Sequence, residues 1–257
     1  MPKRLENKTA VVTGGAQGLG FAIATALYNE GARVAVVDIA EEAVHKAALR
    51  LDDSGEHSMG AVVDVTQKKQ VSAFLKKLQS EWGTIDILVN NAGGALHTPH
   101  RLEEIEEKHW DLVMNVNLKG AFFFCQEAIL QMAGQAGGSI VNISALAGHW
   151  YASLAGVQYT AAKAGLEGLT RQLAHDWGNK NIRVNAVAPT VTMTGERVQG
   201  LWDQKSDDEK RKVLSAIPLG RLSTPEEISA VVVFLASDES SYITGTTVDV
   251  CGGRYLR

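Results

Sequence analysis

The sequence is poor in cysteine. Among 257 residues only Cys125 and Cys251 occur, far apart and in no C-x-x-C pattern. That excludes a disulfide scaffold and suits a reducing, cytoplasmic setting. A block of lysine and arginine is also missing, and the net charge is −4. Nucleic-acid or anionic-membrane binding would want such a block, so neither partner is expected. Long apolar runs are absent too. The opening "MPKRLENKTAVVTGG" has no apolar core of signal-peptide length. The most apolar stretch, "GAFFFCQEAILQMAG", falls short of the ~18 residues that span a bilayer. Gln126 and Glu127 interrupt it, so it reads as a buried or interface helix. No linker, low-complexity tract or short-period repeat divides the chain. A single soluble domain over 1–257 is the expectation.

What is present is a rhythm. Apolar β-rich runs alternate with helical patterns, and 45% hydrophobic content is enough for one substantial core. The expected strands are Thr9–Gly14, Arg33–Asp38, "GAVVDV" at 60–65, "IDILVNN" at 85–91, "GSIVNIS" at 138–144 and "IRVNAVAP" at 182–189. Between them lie helical patterns at Leu19–Glu30, Glu41–Leu51, Gln67–Trp82, Leu102–Ala133 and Val157–Trp177. Runs such as "VAVV" are apolar on consecutive positions, as parallel strands covered on both faces are. The alternation predicts an α/β, doubly wound, Rossmann-like sheet of about seven strands. Ligands then belong at the carboxyl ends of strands. The polar, charged segment at approximately 194–219 breaks the rhythm and is a candidate helical cover over that site.

After the first strand comes "TGGAQGLG", with Gly14, Gly18 and Gly20. A chain that turns sharply, approaches a phosphate and then packs a helix on a sheet needs residues without Cβ. The helix N-terminus adds free N–H groups and the positive end of a dipole. Asp38 ends the second strand. A carboxylate there accepts from both hydroxyls of an adenosine ribose and repels a 2′-phosphate, which favours NAD over NADP. No Arg or Lys occupies Gly15, Ala16, Gln17 or Ile39, where a 2′-phosphate would want a partner. Asp38 as a turn residue or helix cap is the simpler alternative.

Further motifs follow in order: "DV" at Asp64–Val65, "NNAG" at 90–93, "NVNLKG" around Asn117, "GSIVNIS" ending at Ser144, "YTAAK" at Tyr159–Lys163, "RVNAVAP" to Pro189 and "YITGTTVDVCGG" near the end. Together they cover nearly the whole chain, which resembles the short-chain dehydrogenase/reductase family in its branch of about 250 residues. The resemblance implies a cofactor cradle from Gly14, Gln17, Gly18, Leu19 and Gly20. It places Asp64 and Val65 at the adenine, and Asn91, Ala92 and Gly93 beside the adenosine ribose. Backbone at Val191 and the hydroxyl of Thr194 are implied at the nicotinamide carboxamide. Where the family has glycine after the proline, this chain has Thr190. The resemblance also implies a homotetramer built on two long helices.

The chemistry expected is hydride transfer between a secondary alcohol and NAD, which requires a proton to leave or reach the hydroxyl. A tyrosine near its ordinary pKa of ~10 is a poor base. Tyr159 and Lys163, four apart, share a helix face, and a nearby ammonium favours tyrosinate. In the family the lysine also holds the nicotinamide ribose, and Asn117 holds a water that completes a proton relay. The family serine falls on Ala145 when counted back from Gly148, and on Leu146 when counted thirteen back from Tyr159. Ser144, Ser153 or no serine then polarises the substrate oxygen, with Ser144 preferred although adjacent strand residues face opposite ways. His149, Trp150 and Tyr151 suggest a substrate wall, and Trp202 a residue of the cover. His97 and His100 read as a solvated loop, not a zinc site, and no metal is expected. Cys251 stands where the family often has aspartate. The substrate expected is a small polar alcohol such as a polyol, sugar or hydroxy acid. The rivals are a 3-oxoacyl thioester reductase and a non-catalytic dinucleotide-binding sensor.

Overall fold

Seven parallel strands run in the order β3-β2-β1-β4-β5-β6-β7. They are β1 (Thr9–Thr13), β2 (Arg33–Asp38), β3 (Ser58–Val62), β4 (Ile87–Asn90), β5 (Gly138–Ile143), β6 (Ile182–Pro189) and β7 (Thr247–Val250). This is a computed structural model, and it describes residues 3–152, 154–194 and 196–256. Helices α1 (Gly18–Asn29), α2 (Glu41–Leu51) and α3 (Lys68–Trp82) link the first four strands. After β4 come α4 (Glu107–Met114), α5 (Gly120–Met132) and α6 (Val157–Trp177). The segment after β6 carries α7 (Glu196–Asp203), α8 (Asp207–Ser215) and α9 (Pro225–Ala236).

Consecutive strand residues feed opposite faces of the sheet. Ala10, Val12, Val34 and Val36 pack with Ile23, Leu27, Val44 and Val232 of α1, α2 and α9. Val11, Ala35 and Val37 turn the other way, against Leu75, Phe124 and Ile129 of α3 and α5. Both faces are therefore covered, which is why the strands read as continuous apolar runs. The chain winds outward from β1 through β2 to β3, then returns to add β4 on the other side of β1. The carboxyl ends of β1 and β4 flank that reversal and leave a crevice for ligand.

Several expected bounds shift by a residue or two, and two elements differ more informatively. The third strand starts at Ser58 rather than Gly60, because Val34 pairs with Ser58 and the Ser58 hydroxyl donates to Ala48 O at 2.7 Å. The single helix expected over 102–133 is broken into a short 3₁₀ turn at 102–104, α4, a π-helical turn at Asn115–Lys119 and α5. Among the described residues no helix is long and apolar enough to cross a membrane.

Candidate active site

The glycine loop is built to approach a ligand closely. Gly14 has φ +61°, and a Cβ there would stand 2.8 Å from Ala92 Cα. A Cβ on Gly20 would strike Gly14 O. Gln17 precedes α1 without capping it through its side chain, so the first N–H groups, from Gly18 and Leu19 onward, stay available. Thr194 lies over this turn, its carbonyl 3.2 Å from where a Gly18 Cβ would be. Asp38 accepts from the Ala16 N–H through one oxygen and from the Ala40 N–H through the other, both at 3.2 Å. The carboxylate is thus fixed beside the loop, with lone pairs left over. These features fit a dinucleotide.

Behind the loop, Asn91 stitches β4 to β1. Its side-chain amide donates to Thr13 O at 3.0 Å and Gly14 O at 2.9 Å. Asn91 N and Ala92 N both donate to the Thr13 hydroxyl at 3.0 Å. Asp64 accepts from Thr66 N at 2.9 Å and Thr66 Oγ1 at 2.7 Å, which holds the turn after β3. Val65 packs so closely on α5 that a Cβ on Gly120 would stand 2.8 Å from its Cγ2.

The π-helical turn explains Asn117. Its extra residue turns this side chain inward, leaving it 1% exposed. Oδ1 accepts from Gly94 N at 2.8 Å while Nδ2 donates to Gly94 O and Val113 O at 3.0 Å. Gly93, with φ +155°, is wedged against Asn117 Oδ1, and a Cβ there would also stand 3.6 Å from Lys163 Nζ. Lys163 is buried and donates to Ile143 O at 2.7 Å, with Nζ 5.6 Å from the Tyr159 ring centroid. Burial lowers the Lys163 ammonium to about 8 and pushes the Tyr159 hydroxyl up to about 12.

Tyr159 lines a cavity of about 240 Å³. Ala145, Leu146 and Ala147 form one side, and Trp150 and Tyr151 another. Val191 and Thr190 come from the segment after β6, and Arg254 from the C-terminal arm. Ser144 does not line it. The residue is 2% exposed, and its hydroxyl donates to Glu167 Oε1 at 2.9 Å. Ser144 follows the end of β5 and gives its hydroxyl to Glu167 of α6 rather than to the cavity. The Ser144→Ala protein should therefore keep kcat/KM within about threefold of wild type in steady-state assays, since no transition-state contact is lost. Ser153 lies outside the described residues.

His149 is likewise no wall residue. Its Nδ1 stands 3.0 Å from Glu167 Oε1 and its Nε2 3.0 Å from Asp249 Oδ1. Both carboxylates flank one imidazole. Trp202 sits half-buried in α7, apart from the cavity lining. Tyr255 packs between His149 and Trp150, at 5.0 Å from each ring. Glu167, Asp249, Tyr255 and Arg254 are not singled out by the sequence; the Gly252–Gly253 pair before Arg254 is the one local signal. Among the described residues no group of three or more His, Cys, Asp or Glu side chains is placed to hold a metal.

A glycine-loop crevice beside a buried Lys163 and a cavity-lining Tyr159 defines a nucleotide-linked oxidoreductase, and comparison with known proteins agrees. A family profile described as enoyl-(acyl carrier protein) reductase matches residues 14–254. The chain is 42% identical to the 3-oxoacyl-[acyl-carrier-protein] reductase FabG of Chlamydia muridarum, over 98% of this chain and 99% of that one. It is 40% identical to the D-threitol dehydrogenase of Mycolicibacterium smegmatis, over 99% and 95%. A solved Sinorhizobium meliloti structure, described as a candidate short-chain alcohol dehydrogenase, superposes with TM-score 0.90 at 35% identity, over 99% and 98%. The chain belongs to the short-chain dehydrogenase/reductase family and is an oxidoreductase.

Proposed function

We propose that the protein interconverts a secondary alcohol and a ketone with NAD(H), using Tyr159 as the acid/base. The observation that carries this is the placement of Tyr159 in the cavity wall with the pinned Lys163 ammonium beneath its ring. The dinucleotide, when bound along the glycine loop, supplies a hydride acceptor or donor. In oxidation the alcohol O–H proton passes to the Tyr159 oxygen as the carbinol C–H pair leaves as hydride. In reduction Tyr159 returns that proton to the developing alkoxide. Lys163 favours the tyrosinate and, with Asn117, holds the proton path behind it. Asp64, Val65, Asn91, Ala92 and Gly93 line the adenosine half in this reading, and Val191 and Thr194 hold the carboxamide.

The substrate belongs to the small polar alcohols, entering under a cover formed by α7 and α8. Ser206 and Glu209 cap α8 reciprocally, so this charged segment holds its helix without a buried face. The protein acts as a cytoplasmic homotetramer. Trp110, Leu112, Phe122 and Leu130 on α4 and α5 are exposed apolar side chains suited to burial between copies. The alanine- and leucine-rich lining of the cavity favours, as a second reading, the acyl end of a 3-oxoacyl thioester.

A screen of secondary alcohols, polyols, hydroxy acids and 3-oxoacyl thioesters, followed by NADH absorbance with Tyr159→Phe as the blank, tests the reaction. Cofactor choice is tested at Asp38. The Asp38→Ala protein should lose about tenfold or more in the NAD-over-NADP ratio of kcat/KM, because charged hydrogen bonds to the ribose go and repulsion of a 2′-phosphate is relieved. A wild type that already works better with NADP would overturn the assignment.

A further inference from the structure

The cavity beside Tyr159 has one charged residue among its described lining residues, Arg254. The rest of the lining is small or apolar, joined by aromatic rings and Thr190. Arg254 is half-buried, and no carboxylate among the described residues pairs with its guanidinium. A lining arginine with no carboxylate partner among the described residues is placed to receive one from a ligand.

The arm that carries it is tied down on two sides. Gly252 and Gly253 take φ +61° and +83°, and Cβ atoms there would press on Ile217 and Pro218 at 2.8 and 2.9 Å. Leu219 N donates to Gly252 O at 3.1 Å, which fastens the turn to the end of the α7–α8 segment. Cys251 is buried, and its Sγ lies 3.6 Å from Tyr255 O. Tyr255 then wedges against His149 and Trp150. His149 is in turn held between Glu167 and Asp249. Arg254 is thus delivered to the cavity by anchored residues before and after it.

We propose that Arg254 binds the carboxylate of the substrate, so that the alcohol turned over is a short hydroxy acid with an apolar body, and its ketone an oxo acid. This rests on the reaction proposed above. It also selects the hydroxy acid over the polyol and the sugar, whose hydroxyl groups would find few partners among Ala145, Leu146, Ala147 and Val191. At about 240 Å³ the cavity lies near the lower end of ordinary ligand pockets, a fit for a small molecule.

The test compares 2- and 3-hydroxy acids of four to nine carbons with their methyl esters, in wild type, Arg254→Met and Arg254→Lys. Wild type should favour the acid of a matched pair at least about tenfold in kcat/KM, chiefly through KM. Arg254→Met should erase that preference by lowering kcat/KM for the acid far more than for the ester, and Arg254→Lys should restore part of it. Equal use of acid and ester by wild type, or a preference that survives Arg254→Met, overturns the proposal. A coenzyme A thioester whose KM alone responds to Arg254→Met also overturns it, since the anion read would be a phosphate. Binding is followed separately by quenching of tryptophan fluorescence with oxidised NAD present. Should no alcohol be turned over, the proposed reaction fails, while tighter quenching by acid than by ester, lost in Arg254→Met, still upholds the site. Equal quenching by both sinks it.

Discussion

Replacement of Tyr159 by phenylalanine should lower kcat in both directions by about a thousandfold, within the range that general acid–base catalysis contributes. The change removes one oxygen and leaves the ring that lines the cavity. NAD binding, read by NADH fluorescence, should be unchanged within about twofold, because the glycine loop and Asp38 are untouched. The pH profile carries the same argument further. With its hydroxyl pushed up to about 12 by burial alone, Tyr159 is almost wholly protonated at neutral pH. Oxidation needs the tyrosinate, so its kcat/KM should rise with pH, close to tenfold per unit, until an apparent pKa set by the charges nearby. Reduction needs the phenol and should be level at neutral pH, falling only above that pKa. Lys163 stands beside the Tyr159 ring, and its ammonium persists up to about 8. Lys163→Met keeps an apolar stem and loses the charge, so the oxidative limb should move about one to two units upward. Residual activity of Tyr159→Phe above about one tenth of wild type, or an unmoved limb in Lys163→Met, would remove these residues from proton transfer.

Why Tyr159 and Lys163 were readable from sequence while their surroundings were not has a physical answer. The helix Val157–Trp177 and the strands Arg33–Asp38 and Ile182–Pro189 occupy the bounds their patterns imply. Local periodicity determines such elements, and a pair at i and i+4 shares a face wherever the helix packs. Asn117 was visible as a residue but not as a geometry. A π-helical turn adds one residue to a helical pattern and leaves the apolar periodicity nearly intact, so 102–133 reads as one helix. Ser144 is the opposite case. Whether Ser144 or Ala145 faces the cavity is a question of register, and a one-residue slip reverses every side chain. Arg254 depends on contacts between segments about a hundred residues apart, such as Tyr255 on Trp150, and no local pattern records them.

The same distinction bears on α6. Its buried side carries Lys163, Glu167 and Thr170, a stripe that hydropathy alone would assign to solvent. The sheet beneath is polar to match it. Asn90 Nδ2 donates to Asn142 Oδ1 at 2.8 Å, and Asn142 Nδ2 donates to Thr170 Oγ1 at 2.9 Å. A buried polar stripe is stable only while each member keeps its partners. This makes Glu167, which touches none of the reacting atoms, a sensitive position for the whole site.

Glu167→Ala should therefore destabilise the protein by about 3–5 kcal/mol, the usual consequence of removing one partner from a buried charged network. The Ser144 hydroxyl would lose its 2.9 Å acceptor and His149 Nδ1 its 3.0 Å carboxylate, with a void beneath Gly148 added. For a chain of this length each kcal/mol corresponds to about 2–4 °C, so Tm should fall by on the order of 10 °C. Glu167→Gln keeps the volume and one acceptor oxygen, and its loss should be nearer 1–2 kcal/mol. Activity supplies an independent readout. With His149 released, the packing of Tyr255 on Trp150 loosens, and the aromatic wall next to Arg254 loosens with it. The Glu167→Gln protein, assayed well below its Tm, should show a raised KM with kcat little changed, since Tyr159 and Lys163 keep their own contacts. A Tm within about 3 °C of wild type for Glu167→Ala would mean that water replaces the carboxylate at little cost, and that the network around Glu167 does not hold the wall.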